Sequence, residues 1–276
     1  MYKILIAADM EGITGVTAWE HVDREHPEYA RFRRLMTQDV NAAIQGALES
    51  GADEILVADG HGYHRNILIE ELNPRARLNA GGPTPFSMVQ GIDSSVNGVL
   101  FVGYHARAGT PNAILDHTWS SRCVANLWLN DLLVGESGLN AAVCGHFGVP
   151  VLMVSGDQAV CAEALDTLGP VEVAVVKYAT GRMSAECLPP ALAHEKICEA
   201  AGRAVRRLRE GQAPPPFVLP ALLQVAVELN ASDMADHASL LPQVVRVGGR
   251  RLEFYASDMP TAYRLFSAVV SLASAG

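Results

Sequence analysis

The sequence predicts an α/β protein with a mostly parallel sheet between two layers of helices, and a smaller C-terminal α+β lobe. Apolar runs of strand length recur at residues 4–8, 55–58, 99–102 and 149–154. Such continuous runs are typical of strands buried on both faces. Helical spacing occurs between them, and this alternation favours a parallel sheet covered on both sides.

The first β-α-β unit is the clearest. Residues 4–8 are followed by helical spacing of apolar residues over 28–49, which Ser50 and Gly51 end. Residues 55–58 then return to strand character. A crossover between parallel strands is almost always right-handed, and we expect that hand here.

The same alternation continues along the chain. After the strand at 99–102, we predict a helix over 138–147, a strand over 149–154, a helix over 158–168 and a strand over 171–176. Ligands of such folds bind beyond the carboxyl ends of the strands. We therefore expect the functional residues at that edge.

Beyond residue 178 the pattern changes. We predict a long helix over 184–208, interrupted near Pro189 and Pro190, and then a linker at 212–216. The remainder is typical of a small α+β unit, with predicted strands at 217–229, 244–247 and 251–255 and a helix at 261–273. The sequence thus predicts a core domain, 1–180, and a smaller lobe, 181–276.

Composition excludes several classes of protein. The 276 residues carry a net charge of −9, and basic residues occur in no run longer than a pair, which argues against nucleic-acid binding. No stretch has the length and apolarity of a membrane span. The five cysteines are odd in number and lack CxxC spacing, so we expect a reducing, cytoplasmic setting. Small molecules or further copies of the chain are the expected partners.

Five potential metal ligands follow four apolar segments: Asp9 and Glu11, His61, His105 and Glu136. Two imidazoles and three carboxylates are the ligand chemistry of a hydrolytic site that holds two divalent metals. Taken singly, each has a structural alternative, such as a helix cap or a hydrogen-bonded core histidine. For the whole set, the structural alternative is much weaker, because four strand ends would all have to present metal-type ligands by coincidence.

Other residues near this edge are less specific. Asn140, Arg107 and Asp157 are candidates for orienting substrate or ligands, although Asn140 could equally be a structural helix residue and Asp157 a helix cap. His64 competes with His61 for the ligand role in the segment DGHGYH.

Five segments together resemble one family over nearly the whole chain: ADMEGITG, VADGHG, GYHARAGTP, VGESGLNA and LNASDMADHASLLP. The chain is similar to the zinc-dependent D-aminopeptidases of the DppA type, peptidase family M55. The resemblance implies two zinc ions per chain, with Asp9 as the bridging ligand among the five residues above. It also implies that His117 is catalytic and not a ligand. Asp116 stands where the family pattern has a small residue.

The resemblance implies a metal-dependent aminopeptidase that removes N-terminal D-amino acids, such as D-alanine, from short peptides. It further implies a homo-oligomer, a decamer. Three alternatives remain from the residues: an amidohydrolase or phosphoesterase with the same metals, an L-specific aminopeptidase, and a peptide-binding protein without turnover. The sequence has no Walker A loop and no arginine cluster suited to phosphate, which disfavours the phosphoesterase.

Overall fold

The computed structural model describes residues 1–220 and 222–275. Within these residues the strands are, in chain order, β1 (Lys3–Ala8), β2 (Glu54–Asp59), β3 (Ala76–Asn79), β4 (Gly98–Tyr104), β5 (Val124–Leu129), β6 (Leu132–Val134), β7 (Val151–Asp157), β8 (Glu172–Gly181), β9 (Ser184–Cys187), β10 (Leu223–Leu229), β11 (Val245–Arg246) and β12 (Arg251–Ala256). The α-helices are α1 (Tyr29–Glu49), α2 (Glu136–His146), α3 (Gln158–Leu168), α4 (Pro190–Arg209), α5 (Ser232–Ala238) and α6 (Met259–Ala273).

Seven strands form the larger sheet in the order β3-β2-β1-β4-β7-β8-β9. All neighbouring pairs are parallel except β8 and β9, which form a hairpin. Strand β1 lies between β2 and β4, and Ala8 pairs with both Asp59 and Val102. The carboxyl ends of these three strands therefore meet at one edge of the sheet.

The apolar run of β1 is explained by burial on both of its faces. Ile4 and Ile6 pack with α1 and α4, whereas Leu5 and Ala7 pack into a second core with α2 and α3. Successive side chains of a strand point to opposite faces, so a strand between two helical layers must be apolar at every position. The predicted three-layer α/β architecture is confirmed.

A second, antiparallel sheet has the strand order β11-β12-β10-β5-β6. Two of its strands, β5 and β6, come from residues before 180, and α4 packs against α1 of the first sheet. One buried core includes both Phe101 of β4 and Phe254 of β12. The second sheet is thus not confined to the predicted lobe 181–276, of which residues 221 and 276 lie outside the described part.

One predicted helix differs in its start. Residues 184–187 form β9, and α4 begins at Pro190 instead of at residue 184. Proline lacks the amide hydrogen that a helix interior requires, but it suits the first turn of a helix. In the part of the chain that the structure describes, no helix is both long enough and apolar enough to cross a membrane.

Candidate metal centre

The five predicted ligands converge at the carboxyl edge of the larger sheet. Asp9 and Glu11 follow β1, His61 follows β2, His105 follows β4, and Glu136 is the first residue of α2. Four of them are almost fully buried, and His61 is partly exposed. The parallel arrangement of β1, β2 and β4 brings together Asp9, Glu11, His61 and His105, and the start of α2, which follows β6 of the second sheet, adds Glu136.

Asp9 lies at the centre of this group. Its Oδ1 atom is 3.4 Å from Nδ1 of His61, and its Oδ2 atom is 3.4 Å from Nε2 of His105. Oε2 of Glu11 lies 3.1 Å from the same nitrogen of His61, and Oε1 of Glu136 lies 3.0 Å from the same nitrogen of His105. Each imidazole thus faces two carboxylates, and Asp9 is common to both.

Backbone carbonyls orient the imidazoles. In each of three histidines, the ring nitrogen that points away from the carboxylates lies within hydrogen-bond distance of a main-chain oxygen: His61 Nε2 to Val22 at 3.0 Å, His105 Nδ1 to Ala106 at 3.0 Å, and His117 Nδ1 to Leu115 at 2.8 Å. A ring that donates from one nitrogen presents a lone pair on the other when it is neutral. Metal-binding histidines usually donate their other ring N–H to a carbonyl or carboxylate in this way.

Two atoms of the group lack hydrogen bonds. Within the described residues, Asp9 Oδ2 and His105 Nε2 are buried without a hydrogen-bond partner, even though carboxylate and imidazole atoms approach within 3.0–3.4 Å. Donor atoms of Asp9, Glu11 and His105 lie within 4.8 Å of one another, and so do those of His105, His117 and Glu136. Close approach without hydrogen-bond alignment is expected for ligands aimed at a common cation, so the donor set fits a divalent metal.

The electrostatics of the group agree with this assignment. Burial and then the charge of Glu11 raise the pKa of Asp9 to about 7. Burial alone would raise the pKa of Glu11 too, but the positive charge of His61 lowers it well below its usual value. Burial lowers the pKa values of His61 and His105, and the charges of Glu11 and Glu136 outweigh it and raise both. Buried carboxylates require nearby positive charge, which a divalent cation supplies efficiently.

His117 lies beside the ligand group. Its ring stacks on His105 with 4.0 Å between centroids, and its Nε2 is 3.6 Å from Oε1 of Glu136. Burial and then the charge of His105 lower the pKa of His117, which favours the neutral imidazole. The rings of His117 and Trp19 pack edge to face, with 5.5 Å between their centroids. Because His117 is also within reach of a metal bound at His105 and Glu136, its role requires a measurement of bound metal as well as of rate.

A cavity of about 560 Å³ opens onto this group. Its wall includes four of the converging residues, namely Asp9, Glu11, His61 and Glu136, together with His117. The remaining lining includes two indole rings and several polar side chains: Trp19, Trp119, Asp23, Thr84, Ser87, Ser120, Ser121 and Ser267. The cavity is large enough for a short peptide and presents polar groups to its backbone.

The structure places the three further candidates outside this cavity lining. Asn140 is fully buried on α2, where Tyr263 donates a hydrogen bond to it and it donates one to Tyr104. The amide of Arg107 donates to Glu163 at 3.0 Å. Both partners of Asn140 are buried, so its hydrogen bonds lie within the core. The side chain of Arg107 is 37% exposed and lies 3.5 Å from Glu163, and its role in orienting substrate stays a prediction.

Asp157 is the N-cap of α3. Its Oδ1 atom accepts hydrogen bonds from the amides of Ala159 and Val160, and its Oδ2 atom accepts one from Ile114 at 2.7 Å. It therefore anchors the segment before His117. His64 does line the cavity, but its Nδ1 lies 2.7 Å from the carbonyl of Asp59, whereas Nδ1 of His61 faces Asp9 and Glu11.

Sequence reasoning missed Lys177, a fully buried residue of β8. Its ammonium donates to the carbonyl oxygens of Glu11 at 2.6 Å, Ile13 at 2.9 Å and Val16 at 2.7 Å. Burial lowers its pKa to about 8. The lysine fixes the backbone of the loop that carries Glu11. A single cation within the apolar run 171–179 was the available signal, since a charge there must have buried partners.

Two imidazoles and three carboxylates, buried at the carboxyl edge of a parallel sheet, are typical of metal-dependent hydrolases. A sequence profile of the D-aminopeptidase family, Peptidase M55, matches residues 2–268. The chain therefore belongs to the M55 family of D-aminopeptidases. The predicted family and enzyme class are confirmed.

Two individual proteins illustrate the similarity. The D-aminopeptidase of Bacillus subtilis (strain 168) is 37% identical over 272 residues, which are 98% of this chain and 97% of the relative. A solved structure, described as the Zn-dependent D-aminopeptidase DppA from Bacillus subtilis, a self-compartmentalizing protease, superposes with a TM-score of 0.95. It is 36% identical, and the match covers 99% of this chain and 98% of that one.

Proposed function

We propose that the chain is a zinc-dependent D-aminopeptidase whose five converging residues hold two zinc ions. The observation that carries this proposal is the position of Asp9, whose two oxygens face different imidazoles at 3.4 Å each. A carboxylate in this position suits a bridge between two cations. The similarity to a structure described as Zn-dependent supports zinc as the metal.

The other ligands divide naturally between the two sides of Asp9. His61 and Glu11 lie together on the Oδ1 side, and His105 and Glu136 on the Oδ2 side. Zinc bound there would supply Lewis acidity, which polarises the scissile carbonyl and makes water a better nucleophile. The carboxylates would also attract the free amine of the substrate, which selects peptides with an unblocked N-terminus.

His117 would carry out proton transfer. Its Nδ1 is engaged with the Leu115 carbonyl, so the neutral ring presents the lone pair of Nε2 near Glu136 and the cavity. An imidazole held in this way can accept a proton from the attacking water and return it to the leaving amine. Trp19 keeps the ring in place by an edge contact.

Stereochemistry provides a direct test of the proposed activity. We expect hydrolysis of D-Ala-D-Ala and D-alanyl p-nitroanilide, and kcat/KM lower by roughly 10- to 200-fold for the L-alanyl compounds, the range that a steric change of about one methyl group supports. The physical reason is that fixing the amine and the carbonyl fixes Cα, so inverting the centre directs the side chain at the cavity wall. Steady-state kinetics on the matched D and L substrates measure this ratio.

The control substrate is N-acetyl-D-alanyl p-nitroanilide, which should be inert because its amine is blocked. Equal or faster turnover of the L compounds would contradict the D preference but would still agree with an aminopeptidase activity. Absence of turnover on every unblocked substrate would contradict the proposed function itself.

We also propose a homo-oligomer, and a decamer as its size. The structural relative described as self-compartmentalizing supports assembly. Large apolar side chains are exposed on and beside the second sheet, among them Leu240, Val245 and Tyr255. Light scattering coupled to size exclusion should give about ten times the chain mass of 29.5 kDa. A stable, active monomer would contradict this prediction.

We propose a cytoplasmic location on the basis of cysteine chemistry. All five cysteines are unpaired, and Cys123, Cys144 and Cys161 are buried. Burial raises the pKa of the Cys161 thiol to about 12, so it is unreactive at neutral pH. Unpaired cysteines in a chain of this size support a reducing compartment.

A further inference from the structure

We infer that Arg182 is a positioning residue for His117, acting through its ion pair with Asp116. The inference rests on the proposed role of His117 in proton transfer. Arg182 lies in the turn between β8 and β9, and it is not among the residues that line the cavity. Its influence on the reaction would be indirect.

The segment that carries His117 has an unfavourable backbone. Between His105 and β5, three non-glycine residues have left-handed φ angles: Asn112 at 48°, Leu115 at 49° and Trp119 at 63°. Such residues cost free energy and persist only where surrounding contacts hold them. His117 lies between the last two, so its position depends on those contacts.

Arg182 makes three of these contacts, all with the two residues before His117. Its Nε donates to Oδ1 of Asp116 at 2.8 Å, and its Nη2 donates to the Asp116 carbonyl at 2.9 Å. Its own carbonyl accepts a hydrogen bond from the amide of Leu115 at 2.8 Å. Leu115 in turn accepts the hydrogen bond from Nδ1 of His117 that fixes the ring.

Asp116 links the arginine to the other side of the loop. Its Oδ2 accepts a hydrogen bond from the amide of Gly109 at 2.6 Å, while its Oδ1 binds Arg182. The carboxylate thereby closes the segment 109–116 into a ring. Because Asp116 is largely buried, loss of the guanidinium would leave a desolvated charge without its cation.

A second route to His117 runs through Trp19. The guanidinium carbon of Arg182 lies 5.5 Å from the centre of the Trp19 ring, which is within cation–π range. Trp19 meets the edge of the His117 ring, also with 5.5 Å between centroids. Arg182 therefore supports both the backbone below the imidazole and the aromatic wall beside it.

The alternative interpretation is that Arg182 and Asp116 form an ordinary surface ion pair, which contributes little to the stability of a protein. The chain offers a matched example in Arg203 and Glu172, remote from the cavity lining. Both pairs have an Nε to carboxylate distance of 2.8 Å, with the arginine side chain 52% exposed at Arg182 and 45% at Arg203. The carboxylates differ, because Asp116 directly precedes His117, whereas Glu172 begins β8 and also binds Arg207. Arg203→Met is therefore the control for loss of a half-exposed arginine.

The test compares Arg182→Met, Asp116→Asn and the double variant with Arg203→Met in the zinc-loaded enzyme. Small misplacements of a catalytic group cost up to about 100-fold in rate, so we expect kcat to fall roughly 10- to 100-fold in Arg182→Met, with KM and zinc content unchanged. The double variant should be no slower than the slower single variant. Arg203→Met should match wild type, and Arg182→Lys should recover part of the rate.

Two further readouts separate positioning from general destabilisation. Hydrogen–deuterium exchange should increase over 109–117 in Arg182→Met but not in Arg203→Met. In the His117→Ala background, Arg182→Met should no longer change the residual rate, because the group being positioned is absent. If Arg182→Met folds poorly, Arg182→Lys serves for both measurements.

An unchanged kcat in Arg182→Met, a change in KM alone, loss of zinc, or a further loss of rate in the His117→Ala background would each overturn the inference. Failure of the proposed function would give a different result. The wild-type enzyme would then be inactive on D-alanyl substrates, while the exchange measurement would still report whether Arg182 orders the loop.

Discussion

Replacing His117 with alanine is expected to reduce kcat by roughly 10²- to 10⁴-fold while zinc content stays at the wild-type level. A loss of kcat of this size is typical for removal of a general acid–base group. We expect it because Nε2 of His117 lies beside Glu136, while Nδ1 is hydrogen-bonded to the Leu115 carbonyl. The ligand group retains Asp9, Glu11, His61, His105 and Glu136, so the metal should remain. Steady-state kinetics together with elemental analysis make the measurement.

His146→Ala is the matched control, because His146 is exposed at the end of α2 and away from the cavity lining. It should retain the wild-type rate. Loss of zinc from His117→Ala in proportion to its loss of rate would show that His117 is a ligand, as its place in the donor group with His105 and Glu136 allows. Retention of full rate would remove His117 from the reaction.

Removal of the metal, or of its bridging ligand, is expected to have the largest effect of all. Wild-type enzyme should contain two zinc ions per chain, lose all activity on exhaustive chelation and regain it with zinc. Asp9→Asn should lose both ions and all measurable activity, because a neutral amide cannot replace a carboxylate shared by two sites. Glu136→Gln should lose one ion, since it lies on one side of Asp9 only.

The fold should survive these substitutions, because the ligands follow the strands and do not form their core. Circular dichroism checks this, and Asp166→Asn, an exposed position on α3, serves as the control for replacing an aspartate. Elemental analysis that finds one ion in fully active enzyme would contradict the dinuclear proposal. So would Asp9→Asn that keeps two ions.

The sequence predicted most of the larger sheet because strands buried on both faces leave continuous apolar runs. It did not predict β3, β5 or β9. Strand β3 is half-exposed, and β9 has four residues, none of them buried. Short strands of this kind depend on tertiary pairing, here with β2 and with β8, and their own residues carry too little pattern to identify them.

Four of the five converging ligands were predictable because parallel strands bring their carboxyl ends to one edge whatever the loop conformations, whereas Glu136 follows β6 of the second sheet. Asn140 and Arg107 lie close to that edge in the sequence, but nearness in sequence does not give the direction of a side chain. Asn140 points from α2 into the core instead of into the cavity. The contact of Arg182 with Asp116 joins residues 66 apart, and no periodicity in the sequence marks it.

The hydrogen bonds of Asn140 nevertheless have a consequence for the unfolding of the protein. It lies one helical turn after Glu136, and its hydrogen bonds join α2 to Tyr104 at the end of β4 and to Tyr263 in α6. A cation bound by Glu136 and His105 would therefore be connected, through α2 and Asn140, to α6, which packs on the second sheet. We therefore expect metal binding at the edge of the larger sheet to stabilise the second sheet as well, so that added zinc raises the unfolding temperature of both sheets together.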